Sequence, residues 1–295
     1  MSTASVLFDA PGPRARVRNR IISVVTIVIA ALIVWAVVAK LASKGQLTAA
    51  KWQPFLTGNL WKTYVLPGVE GTLTAAGGLS IVLALILGFL LGGMGGRLSH
   101  VGFIRWPSAV IVEFFRAVPV LIMMIFAYFL FALYDVFMST HLALAGVVTG
   151  LTLYNGAVIA EIVRAGGVNS LPRGQSEAAA ALGLRWGGQT MRSILLPQAI
   201  TSMLPVLVSQ LVVVLKDTAI GYQITFVEMV RQGTVVGSSY GNYIPALIVI
   251  ALLMISANFA LSVAATRLER RLRRSKRAGV PPCRHRRRWS RVTRP

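Results

Sequence analysis

Charged residues are scarce in this 295-residue chain, and acidic residues are the scarcest. Asp, Glu, Lys and Arg make up 13% of the sequence, whereas apolar residues make up 55%. Only 9 residues are acidic against 30 basic ones, so the formal net charge is +21. The charges stand in short blocks between long uncharged runs. Apolar runs of about 18 or more residues can cross a bilayer as helices. The composition therefore excludes a soluble domain and predicts a polytopic, all-α membrane protein.

Cysteine and histidine are nearly absent. Cys283 is the single cysteine, which excludes an intrachain disulfide and a cysteine-based zinc site. The three histidines, His100, His141 and His285, are scattered and have no cluster of other ligand residues around them. Ser, His and Asp form no recognisable catalytic set. We therefore expect no enzyme active site, no metal site and no cofactor bound by this chain.

A nucleotide-binding motif is missing as well. No Gly-x4-Gly-Lys-Ser/Thr sequence occurs anywhere in the chain, so no loop of this type can hold the phosphates of a nucleotide. If the chain works in an ATP-driven process, we expect the ATPase to be a separate protein.

What the sequence does contain is six mostly apolar runs, each a predicted span. They are 21–38, a run within 71–96, about 109–134, 142–160, 194–215 and 243–266. Five of them are uncharged, and the third carries Glu113 and Arg116 near its start. We expect a basic arm, a first span with its external connection, a main membrane domain and a basic tail, at 1–20, 21–64, 65–270 and 271–295 respectively. An irregular segment is expected at 218–242, before the sixth span.

The arginines indicate the orientation of the chain. With six spans both termini share one side of the membrane, and the arginine-bearing segments all fall on that side: 14–20, 97–105, 164–192 and 267–294. Because positive loops stay inside, the pattern predicts that both termini lie in the cytoplasm of a cell whose plasma membrane the chain spans.

A polar, small-residue stretch at 174–199 lies between the fourth and fifth runs. Ser176 is a possible N-cap residue, and Glu177 would lie in the first turn, where the helix dipole favours an acid. Alanines follow at 178–181, and Gly183 suits the left-handed position that ends a helix. Pro197 is suited to the first turn of the next helix. A helix of methyl groups with one acid is either a docking element for another protein or an ordinary loop.

Several blocks of sequence carry a resemblance. They are Glu177-Ala178-Ala179 with Gly183 and Leu196-Pro197, then Glu113-Phe114-Phe115-Arg116-Ala117-Val118-Pro119, Ala160-Glu161-Ile162-Val163-Arg164, Pro172-Arg173-Gly174-Gln175 and Leu215-Lys216-Asp217-Thr218. In this order they resemble the permeases of ABC importers. The chain is similar to the polar amino acid uptake branch, and most similar to its glutamate permease subunits, over about 65–270.

The resemblance implies a type I ABC importer permease fold, with a five-helix core and an additional N-terminal helix. It also implies a cytoplasmic coupling loop at 166–193 whose helix docks into an ATPase dimer. The implied ATPase contacts are Glu177, Ala178, Ala179, Gly183, Leu196 and Pro197. The other implied partners are a second permease subunit, of the same or a sister chain, and an external solute-binding protein. ATP would be used by the ATPase.

Two departures from the family pattern concern loops. The Leu-Pro pair comes one residue late, and Gly187-Gly188 is the expected place of the insertion. The stretch from Arg164 to Pro172 is also one residue longer than in the family pattern. Neither insertion interrupts the predicted helix at 177–182, so the coupling interpretation is retained.

Charges inside the spans have two interpretations. Glu113 with Arg116, and Glu161 with Arg164, are spaced i,i+3 on one helical face and can form ion pairs. Since a charge at the centre of a bilayer costs about 2.5 kcal/mol or more, such residues are usually paired or functional. The two pairs either line the substrate path or fix the depth of the helix ends.

Lys216, Asp217 and Thr218 are further candidates for the substrate path. They join a Gly- and Thr-containing segment, and non-helical backbone at membrane depth is tolerated where it lines a cavity. An amino acid carries both a carboxylate and an ammonium group, so its path requires partners of both signs. The alternative is that Lys216 and Asp217 neutralise each other at the helix end.

The basic tail favours membrane lipid over nucleic acid as its partner. A basic block directly after a last span is typical of contact with the anionic inner leaflet, and we expect the tail to be disordered beyond Gly279.

Two classes of function remain on the sequence alone. The first is the permease subunit of an ATP-driven importer for a polar amino acid, with glutamate favoured by the resemblance. The second is a passive channel or a membrane anchor without an ATPase.

Overall fold

The fold is a bundle of helices. The computed structural model describes residues 12–93, 102–166, 171, 174–184, 190 and 194–277, and these residues contain no strand. The principal helices are α1 Pro13–Ser43, α2 Gly58–Gly92, α3 Gly102–Ala117, α4 Val120–Leu133, α5 Ser139–Gly166, α6 Gly174–Ala181, α7 Leu196–Asp217, α8 Met229–Tyr240 and α9 Tyr243–Arg277. In this part of the chain, five helices are long and apolar enough to span a membrane, and α3 with α4 can form a sixth span. The predicted multi-span, all-α class is confirmed.

The second helix is longer than the sequence predicts. It begins at Gly58 and continues through two π-helical stretches, Trp61–Val65 and Gly71–Gly78. The boundary expected between 64 and 65 therefore falls inside a helix. Charged residues interrupt an apolar run but do not end a helix, and Lys62 and Glu70 are exposed on its first turns.

The prediction of one continuous third span over 109–134 is wrong. Helices α3 and α4 meet at an angle of 101°. Pro119 stands at the corner in an extended conformation, with ψ of 135°. A proline disfavours helical geometry in the residue before it, so the α3 ladder ends at this point. Helix α3 buries Ser108 and Val112 against the bundle.

The sequence predicted an irregular segment at 218–242, and this prediction is wrong. It contains a 3-10 helix at Thr218–Ile224 and the twelve-residue helix α8. The sequence of α8 is short and contains glycine, threonine and other polar residues. Its apolar face is therefore narrow, and the apolar periodicity of a helix was not recognised. Helix α9 continues past the predicted end at 266 to Arg277, so the first part of the expected basic tail is helical; residues 278–295 lie outside the described residues.

Helix α5 forms the centre of the bundle and packs against α2, α3, α4 and α7. Its contact with α2 is close because glycines line the seam. A Cβ atom built on Gly88 would lie 2.4 Å from Ile159 Cγ2, and one on Gly92 would lie 2.4 Å from the Ala160 carbonyl oxygen. Small residues allow helices to approach in this way inside a membrane, where no hydrophobic effect drives them together.

The bundle has two ends. Gly92, Gly166 and the start of α7 lie at one of them, which we call the 166–196 end. At the opposite end, the turn between α8 and α9 is tied to the connection that follows α1. Lys51 Nζ donates to the Gly241 carbonyl at 2.6 Å, and Asn242 Nδ2 donates to the Lys51 carbonyl at 3.0 Å.

Candidate functional site

The stretch at 174–184 folds into a short helix, α6, with a defined stop. The Gly183 N–H donates to Ala180 at 2.9 Å and the Leu184 N–H donates to Ala179 at 3.1 Å. Together with the left-handed φ of +73° at Gly183, these bonds form a Schellman motif. The predicted helix stop at Gly183 is confirmed. The helix begins at Gly174, however, so Ser176 is its third residue and not its N-cap.

One side of helix α6 packs against the rest of the protein, and its other sides are exposed. Ala179 is 2% exposed, whereas Glu177, Ala178 and Ala180 are exposed and Leu182 is 78% exposed. A Cβ atom on Gly183 would meet nothing within 4 Å. Among the described side chains, the outer surface of α6 presents methyl groups and the Glu177 carboxylate, and a leucine follows directly after the helix.

The chain returns to the bundle at α7. Leu196 opens this helix and Pro197 lies in its first turn, as predicted from the missing N–H of proline. Ala199 and Met203 are buried in a cluster with Ile159 and Val163 of α5. The Ser202 hydroxyl donates to the Gly166 carbonyl at 3.3 Å. Both ends of the loop that carries α6 are thus attached to the same pair of helices; the expected insertion at Gly187-Gly188 lies outside the described residues.

The two predicted ion pairs form, and they are joined to each other. Arg116 Nη1 lies 3.5 Å from Glu113 Oε2, and Arg164 Nε donates to Glu161 Oε2 at 2.9 Å. Arg164 Nη2 also donates to Glu161 Oε1. Arg116 Nη1 lies 3.8 Å from Glu161 Oε2, across the gap between α3 and α5. Spacing along one helix predicted the pairs, but the link between them depends on how α3 packs against α5, which the sequence did not reveal.

The remaining path candidates lie together at the end of α7 remote from α6. Lys216 is exposed, Asp217 is the last residue of α7, and Thr218 is buried. The Thr218 hydroxyl donates to the Leu215 carbonyl at 2.7 Å, so it is engaged by the backbone. Lys216 lines a groove of about 380 Å³ between α7 and α9. Its other lining residues include Ser209, Ser262, Thr266 and Glu269.

Two buried polar contacts were missed by sequence reasoning. Asn155 on α5 is fully buried, and its Oδ1 accepts from Gln210 Nε2 of α7 at 2.7 Å. Its Nδ2 donates to the Leu151 carbonyl at 3.0 Å. A polar residue in an apolar run was the available signal, but its partner lies 55 positions away.

The other missed contact is at the start of α8. The Glu228 carboxylate is buried and accepts the N–H groups of Val230 and Arg231 at 2.7 and 2.6 Å. The Thr72 hydroxyl of α2 accepts the Met229 N–H at 3.1 Å. Burial raises the pKa of Glu228 to about 7, although the two backbone N–H groups act in the opposite direction. Glutamate is not a favoured N-cap residue, so the sequence carried no signal for it.

No group of three or more His, Cys, Asp or Glu residues able to hold a metal occurs in the described part of the chain. The arrangement instead combines an exposed docking-type helix with a charge network and a polar groove on a membrane bundle.

Comparison with known proteins identifies the family. Residues 80–274 match the family model of the binding-protein-dependent transport system inner membrane component. The chain belongs to this family. It is a multi-pass membrane permease, the non-catalytic membrane subunit of an ABC importer, and such importers work with a separate ATPase and a substrate-binding protein. Membership favours the importer over a passive channel or an anchor.

Curated relatives extend the likeness over most of the permease. The glutamate transport system permease protein GluD of Corynebacterium glutamicum is 54% identical over 79% of this chain and 84% of its own length. The probable glutamine permease GlnP of Bacillus subtilis is 34% identical over 65% and 86%. The glutamate/aspartate import permease GltK of Escherichia coli O157:H7 is 29% identical over 70% and 93%.

Solved structures agree on the fold. A crystal structure of an amino acid ABC transporter with histidines matches with a TM-score of 0.63 and 28% identity, covering 70% of this chain and 92% of that one. The inward-facing MetNI methionine ABC transporter matches with a TM-score of 0.56 at 22% identity, covering 73% and 99%. The second likeness concerns the fold alone.

Proposed function

We propose that this permease imports a polar amino acid, with L-glutamate as the first candidate, and that α6 receives the ATPase that powers import. ATP is bound and hydrolysed by that partner. The glutamate assignment is supported by the names of GluD and GltK, which both specify glutamate. A different polar amino acid is the second candidate, since GlnP carries the name of glutamine.

The exposed surface of α6 carries the proposal of ATPase docking. Ala178, Ala180 and Ala181 present little side-chain bulk, so a groove on another protein can approach the backbone closely. Glu177 adds one charge for orientation, and Gly183 ends the helix after two turns. Because the loop is attached to both α5 and α7, a displacement of α6 would be passed to the membrane helices.

The substrate path is proposed to include Lys216, Asp217 and Thr218. Lys216 and Asp217 supply charges of both signs, which suits a zwitterion. In a helix the Cβ atoms tilt toward the N-terminus, so the stem of Lys216 is directed along α7 into the groove that also contains Ser209 and Glu269.

The permease is proposed to lie with both termini and α6 in the cytoplasm, as the positive-inside rule requires of its arginine-rich segments. A second permease subunit, identical or a sister chain, would complete the path. The basic residues in the last part of α9, such as Arg267 and Arg270, would contact anionic lipid.

Two variants of the coupling helix test this proposal. Glu177→Lys reverses its single charge, and Gly183→Leu forces a side chain into the left-handed region. We expect each variant to lower ATP-driven uptake of L-glutamate by about tenfold or more, while the permease stays in the membrane. A change of this size corresponds to the loss of a typical coupling free energy between two sites. The complex is purified through a tag on this chain, reconstituted in vesicles, and assayed for bound ATPase and for labelled L-glutamate uptake.

Gly45→Leu is the matched control. Gly45 has a left-handed φ of +65° and lies in the connection after α1, remote from α6, so the same backbone strain is placed where no ATPase docks. Wild-type uptake in both coupling variants would refute docking at α6. A wild-type complex that imports no polar amino acid with ATP would refute the transport assignment itself, and preference for another amino acid in competition would replace glutamate.

A further inference from the structure

Four charged side chains form a single network at the junction of α3 and α5. Glu161 is the least exposed of them, at 20%, and it contacts both Arg116 and Arg164. Arg116 in turn contacts Glu113 on its own helix. The contact between Arg116 and Glu161 is therefore the point at which the two intrahelical pairs meet.

A small apolar cluster lies beside this network. Val112 of α3 packs against Ala157 and Ala160 of α5, and all three side chains are fully buried. Phe115 of α3 and Leu91 of α2, both partly buried, pack against the same cluster. On the α5 side this cluster consists of two methyl groups, which hinder a sliding displacement of α3 less than large side chains would, and sliding of packed helices is a common form of conformational change. The ion pair beside the cluster adds a contact with a defined position between the two helices.

The network also stands between two parts that must move together in an importer. Glu161 lies five residues before Gly166, where α5 leads into the loop that carries α6. Arg116 lies three residues before Pro119, at the corner from which α4 rises at 101°. Helix α4 also packs directly on α5, where Met124 lies against Gly150, so this corner is a second route by which a displacement of α5 can reach α4.

We propose that Glu161 is a positioning residue that holds the α3–α4 corner to α5 through Arg116, so that movement imposed on α5 from α6 is transmitted to α4. This inference rests on the proposed docking of the ATPase at α6. It assigns the four charges to transmission between helices and not to contact with the transported amino acid.

The alternation of charge in the network allows a test at constant net charge. The double variant Glu113→Arg/Arg116→Glu keeps the pair on α3 but places a carboxylate opposite Glu161. The double variant Glu161→Arg/Arg164→Glu keeps the pair on α5 but places a guanidinium opposite Arg116. Reversing all four residues restores the contacts among these four side chains with opposite polarity.

The measurement is the amount of L-glutamate imported per ATP hydrolysed by the full complex in vesicles. We expect each double variant to lower this ratio by about fivefold or more, since residues in contact within one charge network are energetically coupled. The four-residue reversal should return it to within about twofold of the wild type. A general packing role would lower the yield of assembled complex and leave the ratio unchanged in the molecules that assemble.

Neutral variants keep the inference open to refutation if a reversal fails to assemble. Arg116→Gln, Glu161→Gln and the combination of both form a double-mutant cycle. Coupling predicts that the combination lowers the ratio no further than the more damaging single change. Additive losses, wild-type ratios in the reversed doubles, or no recovery in the four-residue reversal would overturn the inference. Failure of the wild-type complex to import with ATP would instead refute the proposed function.

Discussion

Helices α1 and α5 have nearly the same length but opposite surroundings. They contain 31 and 28 residues, and both are apolar enough to cross a membrane. Helix α1 has no buried residue, whereas α5 buries eleven and forms the centre of the bundle. Apolar character therefore places a helix in the membrane without showing whether it packs against other helices.

The difference between the two helices follows from their small residues. Helix α5 presents Gly146, Gly150 and Gly156 to α4 and α2, and Cβ atoms at these positions would fall within 3.1 Å of neighbouring atoms. The apolar run of α1, 21–38, contains no glycine and is rich in valine and isoleucine. In a membrane, van der Waals contact and interhelical hydrogen bonds hold helices together, and both require close backbones. Helix α5 meets this requirement and α1 does not.

The largest difference between the bundle core and α1 is expected when a large side chain is placed in the close contact between α2 and α5. Gly92→Leu would place a Cβ atom 2.4 Å from the Ala160 carbonyl oxygen and 2.7 Å from its Cα. Because backbone cannot yield as a side chain does, we expect a loss of about 3 kcal/mol or more in stability, and little assembled permease. Ala31→Leu on exposed α1 should leave assembly unchanged. The yield of monodisperse protein after extraction from the membrane measures both; equal yields would contradict the comparison.

A smaller effect is expected from the polar contact inside the bundle. Asn155→Leu removes the acceptor of Gln210 Nε2 and leaves that amide without its partner on α5. We expect a loss of about 0.6–2 kcal/mol, which spans the values for interhelical hydrogen bonds in membrane proteins and model peptides. The control is Thr26→Val on α1, where the hydroxyl donates only within its own helix, to the Ile22 carbonyl. Thermal unfolding midpoints in detergent measure the two changes, and an unchanged midpoint for Asn155→Leu would show that this bond does not hold α5 to α7.

The smallest effect is expected from removing one methylene. Ile159 is fully buried against α2 and α7, whereas Ile29 on α1 is exposed. Ile159→Val should cost about 0.5–1 kcal/mol through lost packing, and Ile29→Val should cost nothing measurable. The same unfolding assay compares them. If Ile29→Val were the more damaging of the two, α1 would have to pack against another subunit in the assembled complex.

Local features of the site were predictable from the sequence. The stop of α6 at Gly183 and the position of Pro197 in the first turn of α7 depend on backbone preferences of single residues. The ion pairs Glu113–Arg116 and Glu161–Arg164 depend on helical spacing alone. Each of these lies within one helix, where sequence separation translates directly into distance.

Features that join distant helices were not predictable. The 101° corner at Pro119 turned one expected span into two helices, and the contact between Arg116 and Glu161 depends on how α3 packs against α5. Next to the buried Glu228, the Met229 N–H donates to Thr72 of α2, which is 157 positions away. Helix α8 was missed because its short, polar sequence gains stability from its neighbours and not from its own propensity.

The sequence by itself determined the class of the protein, the stop of the coupling helix and the family to which the permease belongs. These properties depend on composition and on contacts within a few residues. The tertiary structure decided which spans form the core, how α3 turns away from α4, and which charges meet across helices. The reason is that hydropathy is the same for a helix facing lipid and a helix facing protein, and only the close approach of backbones through glycine and alanine separates the two.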